Sequence, residues 1–188
     1  MPDMTRIERR LSNMQERKDR VLYISRDVIR LAGRGITLMH AKQMGKARTC
    51  LGQLDRLAKK LRASESGFEY FAIPAHQEYV EAKAFYTVLK EHRLASAKEL
   101  GVGEVAYLLG MLDLTGELKR EAIEAIRDGE LEAAESYYGL MRSIYDSTRS
   151  MRFANSLVPE FRRKQDTARI QVESTASELL GAKGRRGI

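Results

Sequence analysis

The stretch Tyr107–Leu118, YLLGMLDLTGEL, decides the fold, because it places an acidic residue inside an apolar segment with helical spacing. Leucine and methionine surround Asp113, and a buried carboxylate is costly unless something compensates its charge. Glu117 follows one helical turn later, so the two acids share a helix face. Gly110 and Gly116 lie on either side of Asp113, and Glu117 follows directly. Each glycine destabilises a helix by about 1 kcal/mol relative to alanine, so its presence suggests close approach by another helix. The stretch therefore predicts a packed helix with two acids on one face.

Two neighbouring acids on a packed helix face repel each other, so their partner is the first question that the sequence raises. A divalent metal ion between the carboxylates would make the arrangement favourable. A cationic side chain would do the same, and a buried ion pair with an arginine from another helix is the simpler interpretation. This stretch alone leaves both interpretations open.

The rest of the chain has the composition of a helical domain. Its 188 residues are enough for one hydrophobic core, and only three prolines interrupt it. Between Met4 and Met44, apolar residues recur at spacings of three, four and seven, the pattern of one long helix or two abutting ones. We expect an all-α bundle of about six to seven helices, with one domain over residues 1–180 and a basic, flexible tail over 181–188.

Helix boundaries follow from glycine and proline positions. Pro74 is expected in the first turn of its helix, with an aromatic cluster of Phe68, Tyr70 and Phe71 just before it. Gly129 is expected to end the helix that carries the acids, because glycine suits the C-terminal cap. The helices predicted after the first are Lys46–Leu61, Pro74–Arg93, Val102–Arg127, Glu130–Met151 and Pro159–Leu180.

The sequence gives no sign of a membrane span, a secretory signal or a disulfide. No apolar run approaches about 18 residues, and no charged-then-apolar leader with a cleavage site is present. The single cysteine, Cys50, excludes an internal disulfide and a cysteine-rich zinc site. We therefore expect a cytoplasmic protein without membrane contact.

Charge is distributed unevenly along the chain. Residues 1–62 carry 16 Lys or Arg against 6 Asp or Glu, residues 63–140 carry 7 against 15, and residues 141–188 carry 10 against 5. Basic ends suit phosphate binding, whereas for any single charge solvation of a helix is the simpler explanation. The candidate nucleic-acid-binding residues are Arg56, Lys59, Lys60, Arg62, Arg162, Arg163, Lys164 and Arg169.

A second acidic pair lies in QEYVEA, Gln77–Ala82. Glu78 and Glu81 are three residues apart and share a helix face. Three or four carboxylates from two helices can hold a hard cation such as Mg²⁺ and leave positions for water and a phosphate oxygen. The competing ferritin-like di-iron site requires Glu-x-x-His on its helices, and the sequence has no such motif. It also has no GxSxG elbow for a serine nucleophile.

QEYVEA and YLLGMLDLTGEL together resemble the translin family, and within it the catalytic type of subunit, translin-associated factor X. Further motifs follow in the expected order: SRD at Ser25–Asp27, RDGELEAA at Arg127–Ala134, and VPEFRRKQDTAR at Val158–Arg169. The resemblance spans roughly residues 16 to 180. It implies a bundle of about seven helices that assembles into closed octamers with nucleic acid held inside.

The resemblance also implies a Mg²⁺-dependent endoribonuclease acting on single-stranded RNA by metal-assisted phosphodiester hydrolysis. The family's catalytic acids fall on Glu78, Glu81 and Asp113, with Glu117 as a fourth, so these four residues are expected to hold Mg²⁺ or Mn²⁺. The expected assembly is an archaeal-style homo-octamer. Two alternatives stay open: a non-catalytic protein that binds single-stranded RNA or DNA, as translin proper does, and a structural protein whose acids form ion pairs.

Overall fold

A computed structural model of the protein describes residues 2–186, and within them the side chains of residues 3–184. These residues form seven α-helices, and the described part of the chain contains no strand. The all-α prediction of six to seven helices is therefore confirmed. The helices are α1 (Pro2–His40), α2 (Met44–Ser64), α3 (Glu69–Glu91), α4 (Ala97–Leu100), α5 (Glu104–Asp128), α6 (Leu131–Thr148) and α7 (Phe161–Arg186).

The chain divides into two compact units, Met1–Ala82 and Lys83–Ile188. None of the described helices combines the length and the apolar character that crossing a bilayer requires. The prediction of one domain over residues 1–180 stays a prediction.

In the first unit, α1 packs along α2. The two helices approach closely at Gly35, where an added Cβ would lie 3.1 Å from a methyl carbon of Leu51. A Cβ at position 35 would require the Leu51 side chain to shift by a few tenths of an ångström. The Cys50 thiol donates a 3.5 Å hydrogen bond to the carbonyl oxygen of Leu31. Residues buried in this unit include Val21, Val28, Met39, Leu54 and Leu61.

The start of α3 differs from the prediction. The helix begins at Glu69, so Pro74 lies inside it rather than in its first turn. Gly67 reverses the chain with φ +79°, and its N–H donates a 2.9 Å hydrogen bond to the Glu69 carboxylate. Backbone N–H groups at residues 69 and 67 hold the pKa of that carboxyl below its ordinary value. The prediction was wrong because this turn starts the helix before the proline is reached.

A short helix, α4, lies in the connection between α3 and α5, where the sequence analysis predicted none. Ser96 and Glu99 form a capping box: the Ser96 hydroxyl accepts from the Glu99 N–H at 3.2 Å, and the Glu99 carboxylate accepts from the Ser96 N–H at 2.7 Å. The Arg93 guanidinium and the capping hydrogen bonds lower the pKa of Glu99 to about 2. The sequence signal, serine followed three residues later by glutamate, was present.

In the second unit, α5, α6 and α7 pack on one another. The C-terminal helix extends further than predicted, because α7 continues to Arg186 and includes most of the predicted tail. Ala182 is buried, and Lys183 forms an ion pair with Glu135 of α6. The predicted helix end at Leu180 is therefore wrong, since burial of Ala182 and the ion pair with α6 hold this segment in place. Residues 187 and 188 of the predicted tail lie outside the described residues.

Gly129 ends α5 in the left-handed conformation, as predicted, with φ +81° and its N–H directed to the carbonyl oxygens of Ala125 and Ile126. We expect Gly129→Ala to lower the free energy of unfolding by about 1–2 kcal/mol, because a Cβ is strained in this conformation. Urea denaturation followed by circular dichroism measures the change.

The matched control is Gly139→Ala. Gly139 is exposed inside α6, and a Cβ there would meet nothing within 4 Å. This change should raise the free energy of unfolding by up to about 1 kcal/mol, because alanine is the better helix former. Changes of the same sign and size at both positions would contradict the cap assignment.

Candidate functional site

Glu78 and Glu81 lie on α3 in the first unit, and both are half-buried. Tyr79 and Val80, which stand between them in sequence, are buried, so the two acids border the packed face of α3. Residues 78 and 81 are one helical turn apart and belong to one face, as predicted from their spacing.

Polar contacts with α2 and the segment after it hold α3 in this orientation. The Tyr79 hydroxyl donates a 3.0 Å hydrogen bond to Asp55 of α2. Burial and the neighbouring Asp55 carboxylate raise the pKa of Tyr79 above its ordinary value. Nε2 of His76, itself buried, lies 2.6 Å from the Glu65 carboxylate. These contacts set the rotation of α3 about its axis and hence the direction of its acids.

Asp113 and Glu117 lie on α5 in the second unit, and both are half-buried. Nζ of Lys164 donates to both carboxylate oxygens of Asp113, at 2.5 and 2.8 Å. The Lys164 side chain is 12% exposed, and the Asp113 side chain is 22% exposed. A cationic side chain therefore compensates Asp113, as the ion-pair interpretation predicted, but a lysine takes the place of the expected arginine.

Further polar side-chain contacts join α5 and α7. The Thr115 hydroxyl lies 2.5 Å from Oε1 of Gln171, and Nζ of Lys119 donates a 2.9 Å hydrogen bond to the hydroxyl of Ser174. A Cβ added at Gly116 would lie 3.2 Å from Nε2 of Gln171. The close approach that the sequence suggested at this glycine is therefore made by α7.

The four predicted metal ligands lie on two helices, α3 and α5. Among them, no group of three or more His, Cys, Asp and Glu side chains could hold a metal ion. Glu78 and Glu81 belong to the first unit, whereas Asp113 and Glu117 belong to the second. Both oxygens of Asp113 already accept hydrogen bonds from Lys164. A site for Mg²⁺ or Mn²⁺ at these four acids stays a prediction.

The predicted cations of α2 divide into exposed and packed side chains. Arg56, Lys59 and Lys60 are exposed and, at spacings of three and four, share one helix face. Arg62 is half-buried, and its guanidinium carbon lies 5.8 Å from the centroid of the Tyr79 ring. Arg62 therefore packs on α3, and the other three form the basic face of α2.

The predicted cations of α7 have acidic partners in most cases. Lys164 pairs with Asp113, Arg163 pairs with Glu160, and Arg169 pairs with Glu173 at 3.1 Å. The Arg163 guanidinium holds the pKa of Glu160 below its ordinary value. Arg162 and Arg163 are exposed. A nucleic-acid role for these residues stays a prediction.

Sequence reasoning placed Lys164 among surface cations and gave no role to Gln171. One signal could have indicated the position of Lys164. Phe161, Ala168, Val172 and Leu179 are among the buried residues of α7 at helical spacing, and Lys164 falls one turn after Phe161 on that side. A basic residue on the apolar side of one helix is the natural partner for an acid on the apolar side of another.

A family profile and one curated relative match most of the chain. The profile described as the translin family matches residues 16–175. An uncharacterised protein of Methanocaldococcus jannaschii is 29% identical over 175 residues, which cover 90% of this chain and 78% of that protein.

Three similar solved structures share the fold over nearly the whole chain. The crystal structure of AfC3PO has a TM-score of 0.86 at 27% identity, covering 99% of this chain and 100% of that one. The structure of an AfC3PO complex with duplex RNA has a TM-score of 0.87 at 27% identity, covering 98% of each. The crystal structure of apo-NeC3PO has a TM-score of 0.85 at 25% identity, covering 97% of this chain and 98% of that one.

The ion pair between Asp113 and Lys164 predicts strong energetic coupling. We expect Asp113→Asn and Lys164→Met each to lower the free energy of unfolding by about 2 kcal/mol, between the values for exposed and fully buried pairs. The double variant should lose less than the sum, with a coupling of about 1–3 kcal/mol. Urea denaturation in a chelating buffer measures the free energy of unfolding of the wild type, the two single variants and the double variant.

The control is the exposed pair between Arg169 and Glu173, one turn apart on α7. Arg169→Met should change the free energy of unfolding much less than Lys164→Met does, because solvent screens an exposed pair. Strictly additive effects of Asp113→Asn and Lys164→Met would show that this pair does not stabilise the second unit.

Proposed function

The chain belongs to the translin family, and from that premise we propose that it binds single-stranded RNA and cleaves it as an endoribonuclease. The observation that carries RNA binding is the likeness, over 98% of this chain, to AfC3PO in its complex with duplex RNA. That complex contains a duplex, so the preference for single strands is part of the proposal and rests on the resemblance of the sequence motifs.

The charge of the first unit supports contact with a phosphate backbone. Arg56, Lys59 and Lys60 present three exposed cations on one face of α2. They belong to a segment, residues 1–62, with 16 basic against 6 acidic residues. Such contacts neutralise phosphates without reading the sequence, and they release counterions from the strand. The basic face of α2 is therefore the proposed backbone contact.

Cleavage is assigned to Glu78, Glu81, Asp113 and Glu117, because they occupy the positions of the family's catalytic acids. Mg²⁺, or Mn²⁺ in its place, is the proposed cofactor, since hard cations prefer carboxylate ligands. When bound, such an ion supplies polarisation of a phosphate oxygen. Among the described residues, no group of three or more His, Cys, Asp and Glu side chains was found that could hold a metal ion. The metal requirement therefore rests on the resemblance alone.

A second candidate function is a non-catalytic protein of the same family that binds single-stranded RNA or DNA. The observation that favours it is the ion pair in which Lys164 donates to both oxygens of Asp113. An acid neutralised in this way has a structural partner and needs no metal. The two candidates agree on binding and differ on cleavage.

We also propose that the chain assembles into a homo-oligomer, an octamer, as the resemblance implies. The likeness to AfC3PO and NeC3PO over almost their whole length supports a shared mode of association. Native mass spectrometry gives the number of copies directly.

The test of cleavage uses a single-stranded RNA labelled at its 5′ end, incubated with the protein in Mg²⁺ and in chelator. We expect fragments only in Mg²⁺, and Glu81→Gln should lower the rate by about 100-fold or more. Glu132→Gln, at an exposed acid of α6, is the control and should cleave normally. Binding without cleavage under all conditions would establish the second candidate, and absence of both would refute RNA binding itself.

The basic face of α2 predicts how binding depends on salt. Each phosphate contact contributes roughly −0.7 to the log–log slope for a single strand, so replacing Arg56, Lys59 and Lys60 with Ala should make the slope shallower by about 2. Fluorescence anisotropy in chelator measures it.

A control triple variant removes the same charge from exposed cations that pair with acids near them in sequence: Arg120 with Glu124, and Arg142 and Arg149 with Asp146. Its slope should match that of the wild type. If both triple variants change the slope equally, net charge rather than the basic face of α2 governs binding.

A further inference from the structure

Three aromatic rings and two cations meet where α1 passes the start of α3. The guanidinium carbon of Arg17 lies 5.4 Å from the centroid of the Phe68 ring, and Nζ of Lys18 lies 5.7 Å from that of Phe71. Arg17 also donates a 2.7 Å hydrogen bond to the carbonyl oxygen of Ser66. We call Phe68, Tyr70 and Phe71, together with Arg17 and Lys18, the aromatic edge of the first unit.

The rings of the aromatic edge pack against one another while much of their surface stays in solvent. The Tyr70 and Phe71 centroids are 6.1 Å apart with the rings edge to face, and those of Phe68 and Phe71 are 6.3 Å apart. Tyr70 is 63% exposed and Phe71 is 41% exposed. Adjacent exposed rings of this size typically mark a binding surface, because aromatic burial is strongly favourable.

The chemistry of the aromatic edge combines flat apolar rings with positive charge. Bases of a single strand stack on aromatic side chains, and neighbouring cations neutralise the phosphates between them. Glu69 is the acid inside this segment, and its carboxylate accepts a hydrogen bond from the N–H of Gly67. The basic residues of α1 and α2 precede this segment in the sequence. The surface is thus suited to an anionic polymer with aromatic groups.

We propose that the aromatic edge is a stacking site for unpaired bases of RNA, with Arg17 and Lys18 beside the strand's phosphates. The inference rests on the proposed function and adds a physical reason why the protein would prefer single-stranded RNA. Bases in a duplex stack on each other and expose only their edges, so they cannot cover Tyr70 and Phe71. A single strand can turn its bases onto these rings, and the gain is independent of base identity.

The chain has no tryptophan, so a single substitution gives a local reporter. In Tyr70→Trp, base stacking should quench the indole fluorescence as single-stranded RNA is added in chelator, and quenching should saturate together with binding measured by anisotropy. An abasic RNA strand of equal length keeps the phosphates and lacks the bases, so it should bind without quenching. The control is Tyr23→Trp, at an α1 residue that is 68% exposed, which should show no quenching.

Affinity provides a second readout. The double variant Tyr70→Ala/Phe71→Ala should bind single-stranded RNA about 5- to 150-fold more weakly for each stacked base that it loses. Its log–log slope with salt should equal that of the wild type, because no cation is removed. Affinity for the abasic strand should also be unchanged, and Tyr23→Ala should bind like the wild type.

Three results would overturn the inference. If RNA binds but Tyr70→Trp shows no quenching and the double variant keeps full affinity, the aromatic edge is not a stacking site, and the proposed function stands. If Tyr70→Trp fluorescence changes with protein concentration in the absence of RNA, a second copy of the chain covers the edge. If the wild-type protein binds no RNA at all, the proposed function fails and this inference fails with it.

Discussion

The arrangement of the second unit depends on the ion pair between Asp113 and Lys164. A carboxylate among the leucines of α5 would be unfavourable alone, and Lys164 compensates it by donating to both oxygens at 2.5 and 2.8 Å. Because Lys164 lies in the first turn of α7, the pair fixes where that helix begins along α5. Thr115 and Lys119 make further polar contacts between the same two helices. Apolar burial supplies the driving force, while these polar contacts select the register of the two helices.

The features that the sequence predicted correctly depend on neighbouring residues. Helical periodicity gave the all-α fold, and Gly129 at the end of α5 follows from its freedom to adopt positive φ. The features that it missed depend on contacts between distant residues. A turn held by Gly67 and Glu69 starts α3 before Pro74, and Lys183 binds α6 through Glu135 where a tail was predicted. The partner of Asp113 lies 51 residues away, beyond any local pattern.

The proposed RNA contacts lie on a different unit from that ion pair. The basic face of α2 and the aromatic edge belong to the first unit, and each matches one part of a single strand. Arg56, Lys59 and Lys60 match its phosphates, and the rings of Tyr70 and Phe71 match its bases. Binding through these groups needs no metal ion. The proposed cleavage would also need the four acids, and the ion pair of Asp113 with Lys164 is the feature that favours binding without cleavage.

The central claim is that single-stranded RNA lies on the basic face of α2 and on the aromatic edge. Hydrogen–deuterium exchange with mass spectrometry, performed in chelator with and without a saturating single strand, tests it most directly because it needs no substitution. RNA bound at these two surfaces should slow amide exchange in peptides that cover residues 56–71 and leave exchange in α6 unchanged. Unchanged exchange over residues 56–71 in protein saturated with RNA, or protection confined to α6, would contradict the claim.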